Sequence, residues 1–91
     1  MNAPEDILDL IVAEAMTAHD TYGPLASMHE GYGVLAEEVA ELFEALRMGP
    51  NTHGVGKDGK MMSRGECIKA EAIQVAAVAL RIAAQAEKVT R

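Results

Sequence analysis

The chain has 91 residues, which is enough for a single domain over residues 1–91 and excludes a two-domain enzyme. Its residues are 49% hydrophobic and 24% charged, so it is too apolar to be disordered, but 16 of them are alanine and only 3% are aromatic. The formal charge of −6 excludes the basic surface that binding to a nucleic-acid polymer requires.

The first predicted helix runs from about residue 4 to about residue 19. Pro4 suits the first helical position, where its missing N–H costs nothing. The run Tyr22-Gly23-Pro24 ends the helix. One face is apolar because the following residues recur with helical spacing: Ile7, Leu10, Ile11, Ala15 and Ala18.

The second predicted helix begins after Ser27 and ends near Met48. Ser27 and Glu30 form a capping box, in which each side chain accepts a hydrogen bond from the backbone N–H of the other residue. The helix stops there because Gly49-Pro50 cannot continue it.

The third predicted helix begins with a second capping box, Ser63 and Glu66, and continues to about Lys88 without a breaking residue. Residues 49–62 contain four glycines and are predicted to form a mobile loop. No segment alternates polar and apolar residues with the period of a strand. The predicted fold class is therefore all-α.

The predicted architecture is a three-helix protomer that forms a four-helix-bundle-type core through oligomerisation. A domain of this length buries only about 60–65% of the surface that its unfolded chain exposes, and alanine side chains make a thin core. We therefore expect part of the burial to occur between copies, in a homo-oligomer that is a dimer or a tetramer.

The sequence predicts a cytoplasmic protein with no membrane partner. Cys67 is the only cysteine, so no intrachain disulfide can form, and the acidic residues after Pro4 are not typical of a targeting segment. The longest uninterrupted apolar run, residues 75–80, is far shorter than the roughly 20 residues that cross a bilayer.

The second helix carries an acidic face opposite an apolar face. The only base on this helix is Arg47 at its end, so the repulsion between neighbouring acids is not offset by basic side chains. A solvated surface is one interpretation, and a divalent-cation site is the other. At about 100° per residue the acids share one arc: Glu30, Glu37, Glu38, Glu41 and Glu44. The opposite arc holds Leu35, Val39, Leu42, Phe43 and Leu46, and we expect Phe43 to pack in the core.

Glu71 projects from the middle of an apolar arc on the third helix, which includes Ile68 and Val75. An ionised carboxylate in such a position needs a partner. A metal ion shared with the acids of the second helix would supply one, and Gln74, one turn further on, would complete the group. An oxygen-only donor set favours Mg²⁺ or Mn²⁺.

Two segments carry a resemblance to a known family. The run Glu37-Glu38-Val39-Ala40-Glu41 is followed, after 29 residues, by Glu71-Ala72-Ile73-Gln74. This pattern resembles the E-E-x-x-E … E-x-x-D signature of the MazG-like, all-α nucleoside triphosphate pyrophosphohydrolases. With the flanking residues 29–35 and 74–77, the chain is most similar to the small MazG-like proteins carried by bacteriophages, which would place it in the host cytoplasm.

The resemblance implies hydrolysis of a nucleoside or deoxynucleoside triphosphate to the monophosphate and pyrophosphate, with Mg²⁺ as the cofactor. It implies that Glu37, Glu38, Glu41 and Glu71 are metal ligands, and that one of the first three accepts a proton from the attacking water. Gln74 stands where the family has aspartate, so one formal charge is missing. Its amide can still ligate a metal or donate to a phosphate.

Four further residues are candidates for substrate contact. Lys57, Lys60 and Arg64 lie in or beside the glycine-rich loop and could close over a triphosphate, although ordinary solubilising charge explains them equally well. His29, in the first turn of the second helix, is a weaker candidate, with packing or surface exposure as the alternative. The stretch 54–61 nearly matches a phosphate-binding P-loop, but Met61 replaces the required Ser or Thr.

Two other functions remain open at this point. The chain could be a catalytically weak nucleotide- or metal-binding regulatory module, because the aspartate of the signature is missing. It could also be a helical assembly protein whose acids are simply solvated. The first would bind nucleotide without hydrolysis, and the second would not change its melting temperature when Mn²⁺ is added.

Overall fold

A computed structural model describes residues 5–49, 53–55 and 59–89 of the chain. The chain is mostly helical, as predicted. Its elements in order are α1 (Glu5–Tyr22), α2 (Met28–Arg47), β1 (His53–Val55), β2 (Met61–Ser63) and α3 (Arg64–Val89). Within the described ranges, no helix is long and apolar enough to cross a membrane.

Both predicted capping boxes stand at helix starts. Ser27 Oγ accepts a hydrogen bond from the Glu30 backbone N–H at 3.0 Å. At the start of α3 the box is reciprocal, because the Ser63 N–H donates to the Glu66 carboxylate and the Glu66 N–H donates to Ser63 Oγ, both at 3.1 Å. These bonds satisfy backbone groups that a helix start otherwise leaves without partners.

Helix α1 ends three residues later than predicted. Gly23 follows its last turn with φ of +75°, a conformation that glycine adopts without a steric penalty. The Gly23 N–H donates to the His19 carbonyl at 2.7 Å and closes the helix end. The helix therefore includes Tyr22, which the sequence pattern places in the segment that ends the helix.

The prediction that residues 49–62 form only a loop is wrong, because this segment contains a small antiparallel hairpin. Strands β1 and β2 pair in the register Gly54 with Met62 and Val55 with Met61. A Cβ on Gly54 would lie 2.8 Å from Cys67 Sγ, so the hairpin backbone rests directly on the first turns of α3. Strands of three residues are too short to show the alternation that reveals a strand in a sequence.

Helix α3 is the centre of the fold. Helices α1 and α2 both pack on α3, and no described Cα atom of α1 lies within 8 Å of one of α2. The radius of gyration is 14.3 Å, whereas a compact domain of this length has about 12 Å. One copy of the chain therefore forms an open three-helix layer with a cleft between its two outer helices.

The core is as thin as the composition predicts. None of the described large side chains is completely buried, and the buried hydrophobic residues are Ala15, Leu25, Ala45, Ala77 and Val78. The link between α1 and α2 is held to α3 by Gln85, whose amide donates to the Leu25 carbonyl at 2.8 Å and accepts from the Leu25 N–H at 3.0 Å. Polar contacts thus supplement a small apolar core.

The centre of the predicted apolar arc of α2 does not face α3. The buried residues of α2 are Gly31 and Ala45, and Glu38 is half-buried on the same side of the helix. A Cβ on Gly31 would lie 3.0 Å from Ile82 Cγ1, so any larger residue here would force the Ile82 side chain to shift. The expectation that Phe43 packs in the core is wrong in the single chain: Phe43 is exposed, with the Arg47 guanidinium 5.5 Å from its ring centre.

Candidate metal centre and adjoining cleft

Three carboxylates from two helices converge beside the contact between α2 and α3. Glu38 and Glu41 lie one turn apart on α2, and Glu71 faces them from α3. One oxygen of each carboxylate lies within 4.8 Å of the other two. Oxygens that bind one cation at 2.0–2.6 Å are at most about 4–5 Å apart, so this spacing needs little adjustment to hold a divalent ion.

The three carboxylates differ in burial. Glu38 and Glu71 are half-buried, and Oε2 of each exposes less than 1 Å² to solvent, whereas Glu41 is exposed. Placing several carboxylates together away from water is costly unless positive charge or hydrogen bonds offset the loss of hydration. The donor set consists only of oxygen atoms, and it fits Mg²⁺ or Mn²⁺.

The cluster brings together three of the four acids that the sequence predicts as ligands. Glu37 is not part of it, because one residue along a helix turns a side chain by about 100°. Glu37 instead lines the cleft between α1 and α2, beside Glu38. The exposed Glu44, one turn beyond Glu41, pairs with Arg47 at 3.2 Å.

Gln74 makes a contact that the sequence did not predict. Its Nε2 donates to Glu14 Oε1 of α1 at 2.7 Å, in a part-buried position. The bond joins α1 to α3 and brings a further carboxylate to the cleft. The sequence contains a signal that could have identified Glu14 as a site residue. Glu14 interrupts the apolar face formed by Ile11, Ala15 and Ala18, as Glu71 interrupts the apolar arc of α3.

The cleft between α1 and α2 has a volume of about 550 Å³ and lies over α3. It extends from Gln74 to Arg81, seven residues or about 10 Å of helix. Arg81 is the only base among its described lining residues, and its Nη2 donates to the Gly23 carbonyl at 3.2 Å. The other lining residues include Thr17, Thr21, Tyr22, Glu30, Val34, Ala77 and Val78.

Three of the remaining predicted substrate residues, His29, Lys60 and Arg64, are not among the described residues that line this cleft. His29 and Lys60 are exposed, and Lys57 lies outside the described residues. Arg64 holds the end of α2 to the start of α3, with Nε donating to the Met48 carbonyl at 2.6 Å and Nη2 to the Leu46 carbonyl at 2.9 Å. A contact between these residues and a substrate stays a prediction.

The fold and the site define a small helical protein with a carboxylate cluster beside a cleft of ligand size. No family model, curated protein or solved structure matches the chain. The resemblance to the MazG-like enzymes therefore rests on the residues themselves: the acidic signature, its spacing and the flanking stretches.

Proposed function

We propose that the chain is a Mg²⁺-dependent nucleoside triphosphate pyrophosphohydrolase, which converts a ribo- or deoxyribonucleoside triphosphate to the monophosphate and pyrophosphate. The observation that supports this most strongly is the convergence of Glu38, Glu41 and Glu71, together with a nucleotide-sized cleft that Glu38 also lines. Ligand sites in proteins commonly have volumes of about 300–1,000 Å³, and this cleft falls within that range.

Glu38, Glu41 and Glu71 would hold the cation, with Mn²⁺ as an alternative to Mg²⁺. When bound, the cation supplies the positive charge that allows a triphosphate to approach an acidic site and that polarises its phosphate groups. Glu37 lines the cleft outside the cluster and directly precedes the ligand Glu38 in the chain, so we assign to it the role of accepting the proton of the attacking water.

The cleft offers separate surfaces to the parts of a nucleoside. Ala77 and Val78 give an apolar floor for the flat face of a nucleobase. The Glu14 carboxylate, which Gln74 orients, can accept hydrogen bonds from sugar hydroxyls. Arg81, tied to the Gly23 carbonyl at the far end, can donate to acceptors on the base.

A catalytically weak nucleotide- or metal-binding regulatory module is the second candidate. One observation favours it: the Gln74 amide is engaged with Glu14, in the position where the family signature has a fourth acid. In that case the cluster would bind a cation and a nucleotide without turnover. This function predicts that the wild type binds nucleotide without hydrolysing it and that Gln74→Asp hydrolyses it. An active enzyme would hydrolyse nucleotide without the substitution.

We also infer that the protein acts as a homo-oligomer in the cytoplasm and controls the nucleotide pool. The thin core and the exposed apolar side chains of a single copy support assembly into a dimer or tetramer. The charge of −6 disfavours nucleic-acid polymers but not small nucleotides, whose charge the cation offsets.

The test is product analysis on the eight common nucleoside triphosphates with Mg²⁺ or Mn²⁺. We expect pyrophosphate, and not orthophosphate, from at least one nucleotide, with loss of activity in EDTA and in Glu41→Gln. Asp9→Asn is the matched control, because Asp9 is an exposed acid of α1 that does not line the cleft. Silence of the whole panel with both cations, or full activity of Glu41→Gln, would contradict the proposal.

A further inference from the structure

An apolar groove with a volume of about 690 Å³ lies between α1 and α3, and the described residues of α2 are not among those that line it. We name it the α1–α3 groove. One face of α1 contributes Val12 and Met16, α3 contributes Leu80, and the link between α1 and α2 contributes Leu25. Val12, Met16 and Leu80 are 47%, 61% and 40% exposed, so the apolar walls are accessible. The volume is typical of a site for a small molecule.

The ionisable side chains of the groove are all basic. His19, Arg81 and Lys88 line it, and none of its described lining residues is an acid, although the chain has 14 acids and only 8 lysines and arginines. Asp20 and Glu87, which are next in sequence to two of these bases, are turned by about 100° around their helices and do not line the groove. A basic groove on an acidic protein selects an anionic ligand.

The two helices that form the groove run in the same direction. Glu14 of α1 lies beside Gln74 of α3, because the Gln74 amide donates to its carboxylate at 2.7 Å. Further along, the Arg81 guanidinium reaches the carbonyl of Gly23, the residue after α1, at 3.2 Å. The last turns of α1 and α3 therefore lie at the same end of the groove.

The bases gather at that end. His19 is in the last turn of α1, and Lys88 is in the last turn of α3. Met16 and Val12 lie about one and two turns before His19 on the same face of α1. The groove is thus apolar at one end and basic at the other, which matches a molecule with an apolar tail and an anionic head group.

Arg81 is placed to bind such a head group. Its side chain is half-buried, and the bond to the Gly23 carbonyl holds the guanidinium in position. A guanidinium has five N–H donors in a planar fork, so one bond to a carbonyl leaves donors that can bind a carboxylate through two hydrogen bonds. Lys88 lies two turns further along the same side of α3 and adds a second positive charge.

We propose that the α1–α3 groove binds a single-chain amphipathic carboxylate, such as a medium-chain fatty acid. The carboxylate lies at Arg81 and Lys88, and the chain lies along Met16 and Val12. An acidic peptide helix fits less well, because its acids would be spread along its length while the bases of the groove are at one end. This binding is independent of the proposed hydrolysis, although Arg81 also lines the cleft.

The first test is a titration with sodium decanoate below the concentration at which it forms micelles. Two-dimensional ¹H–¹⁵N NMR locates the site, and isothermal titration calorimetry gives the Kd. We expect saturable shifts at the amides of Met16, Leu80 and Ala84, and none at Glu41 in the carboxylate cluster. Decyltrimethylammonium, which has the same chain but a cationic head group, should leave the groove amides unshifted.

Two pairs of variants at exposed positions test the head and the tail separately. Lys88→Glu should raise the Kd for decanoate roughly fivefold or more, because it reverses a charge beside the carboxylate. Its matched control is Lys69→Glu, an exposed base of α3 outside the groove, with an unchanged Kd. Met16→Gln should raise the Kd about threefold through lost apolar contact. Leu10→Gln, on the opposite side of α1 and 44% exposed, should not.

Four results would overturn the proposal. Decanoate could cause no saturable shift in the groove, or decyltrimethylammonium could bind there equally well. The groove amides could respond to an acidic amphipathic peptide or to phosphatidylglycerol vesicles but not to decanoate, which would indicate a protein or membrane partner. They could also shift with protein concentration alone, which would place a second copy of the chain in the groove.

Discussion

Replacing Glu71 by glutamine tests the carboxylate cluster through stability alone, without any assumption about substrate. The amide has nearly the same shape as the carboxylate but carries no charge. Glu71 lies in a cluster with Glu38 and Glu41, with one oxygen of each within 4.8 Å of the others. Without a cation, the substitution removes the repulsion of Glu71 by two neighbours, so Glu71→Gln should be more stable than the wild type in EDTA.

The size of the effect follows from the geometry. Two unit charges at the largest separation within the cluster, 4.8 Å, repel each other by about 3.5 kcal/mol at an effective dielectric constant of about 20, before screening by water and salt is considered. Glu41 is exposed and its charge is screened by water and salt, so the expected gain in the free energy of unfolding is smaller. We expect about 1–2 kcal/mol, which is roughly 5–15 °C in the melting temperature of a domain of this size.

Addition of the cation should reverse the order of the two proteins. A ligand at about 100 times its Kd stabilises the folded state by about 2.7 kcal/mol, so excess Mg²⁺ or Mn²⁺ should raise the wild-type melting temperature by more than 10 °C. Glu71→Gln should gain much less, because one ligand has lost its charge. Circular-dichroism melts in EDTA and in excess cation measure both effects, with Asp9→Asn as the control that responds like the wild type.

The result that would refute the reasoning is equally specific. If Glu71→Gln melts below the wild type in EDTA, the three carboxylates do not destabilise one another in the folded chain. If neither cation raises the wild-type melting temperature, the cluster is a solvated group of acids and not a cation site. Either outcome removes the main support for the proposed function.

Three further changes test the surroundings of the cluster. Gln74→Asp places a second carboxylate against Glu14, so its melting temperature should fall in EDTA and recover with Mg²⁺, as followed by the same melts. Glu14→Gln should raise the KM for nucleotide roughly fivefold to tenfold, because that ratio corresponds to the free energy of about one hydrogen bond. Steady-state kinetics measure this change, and the helix content should stay the same. Gly31→Ala should cost about 1–3 kcal/mol in urea unfolding, because its Cβ would meet Ile82 Cγ1 at 3.0 Å. Gly65→Ala, with nothing within 4 Å, should instead be neutral or slightly stabilising.

The helix boundaries could be predicted because they depend on local chemistry. Ser27 and Ser63 mark helix starts through hydrogen bonds to residues three positions away, which no distant contact needs to support. The hairpin could not be predicted in the same way. Its strands have three residues each, and its position depends on Gly54 resting on Cys67, a contact between residues 13 positions apart in the sequence.

The carboxylate cluster could be predicted in part. Glu71 interrupts an apolar arc, and that local signal correctly placed it opposite the acids of α2. The sequence does not predict which side of α2 packs on α3. The acidic and apolar arcs of this helix meet along two borders, and the sequence pattern alone does not distinguish one border from the other. Gly31 and Ala45 lie near the border that is buried. Gly33 and Ala40, which are equally small, lie near the other border and are exposed, so residue size alone does not predict which border packs on α3.

The position of Glu37 follows from the same rotation. Glu37 and Glu38 both line the cleft, but Glu38 is half-buried and belongs to the carboxylate cluster, whereas Glu37 is exposed and does not. Gln74 and Glu14 are 60 positions apart in the sequence, so only the packing of α1 on α3 reveals the contact between them. Residue types thus indicated the chemistry of the site, and packing decided which residues share it.

The measurement that tests the central claim most directly is the anomalous difference map of a crystal grown with Mn²⁺ and an unreactive nucleoside triphosphate analogue. The account predicts a strong Mn²⁺ peak within bonding distance of carboxylate oxygens from Glu38, Glu41 and Glu71, with the nucleotide in the cleft between α1 and α2. A map with Mn²⁺ bound elsewhere, or with no peak at these three residues, would contradict it.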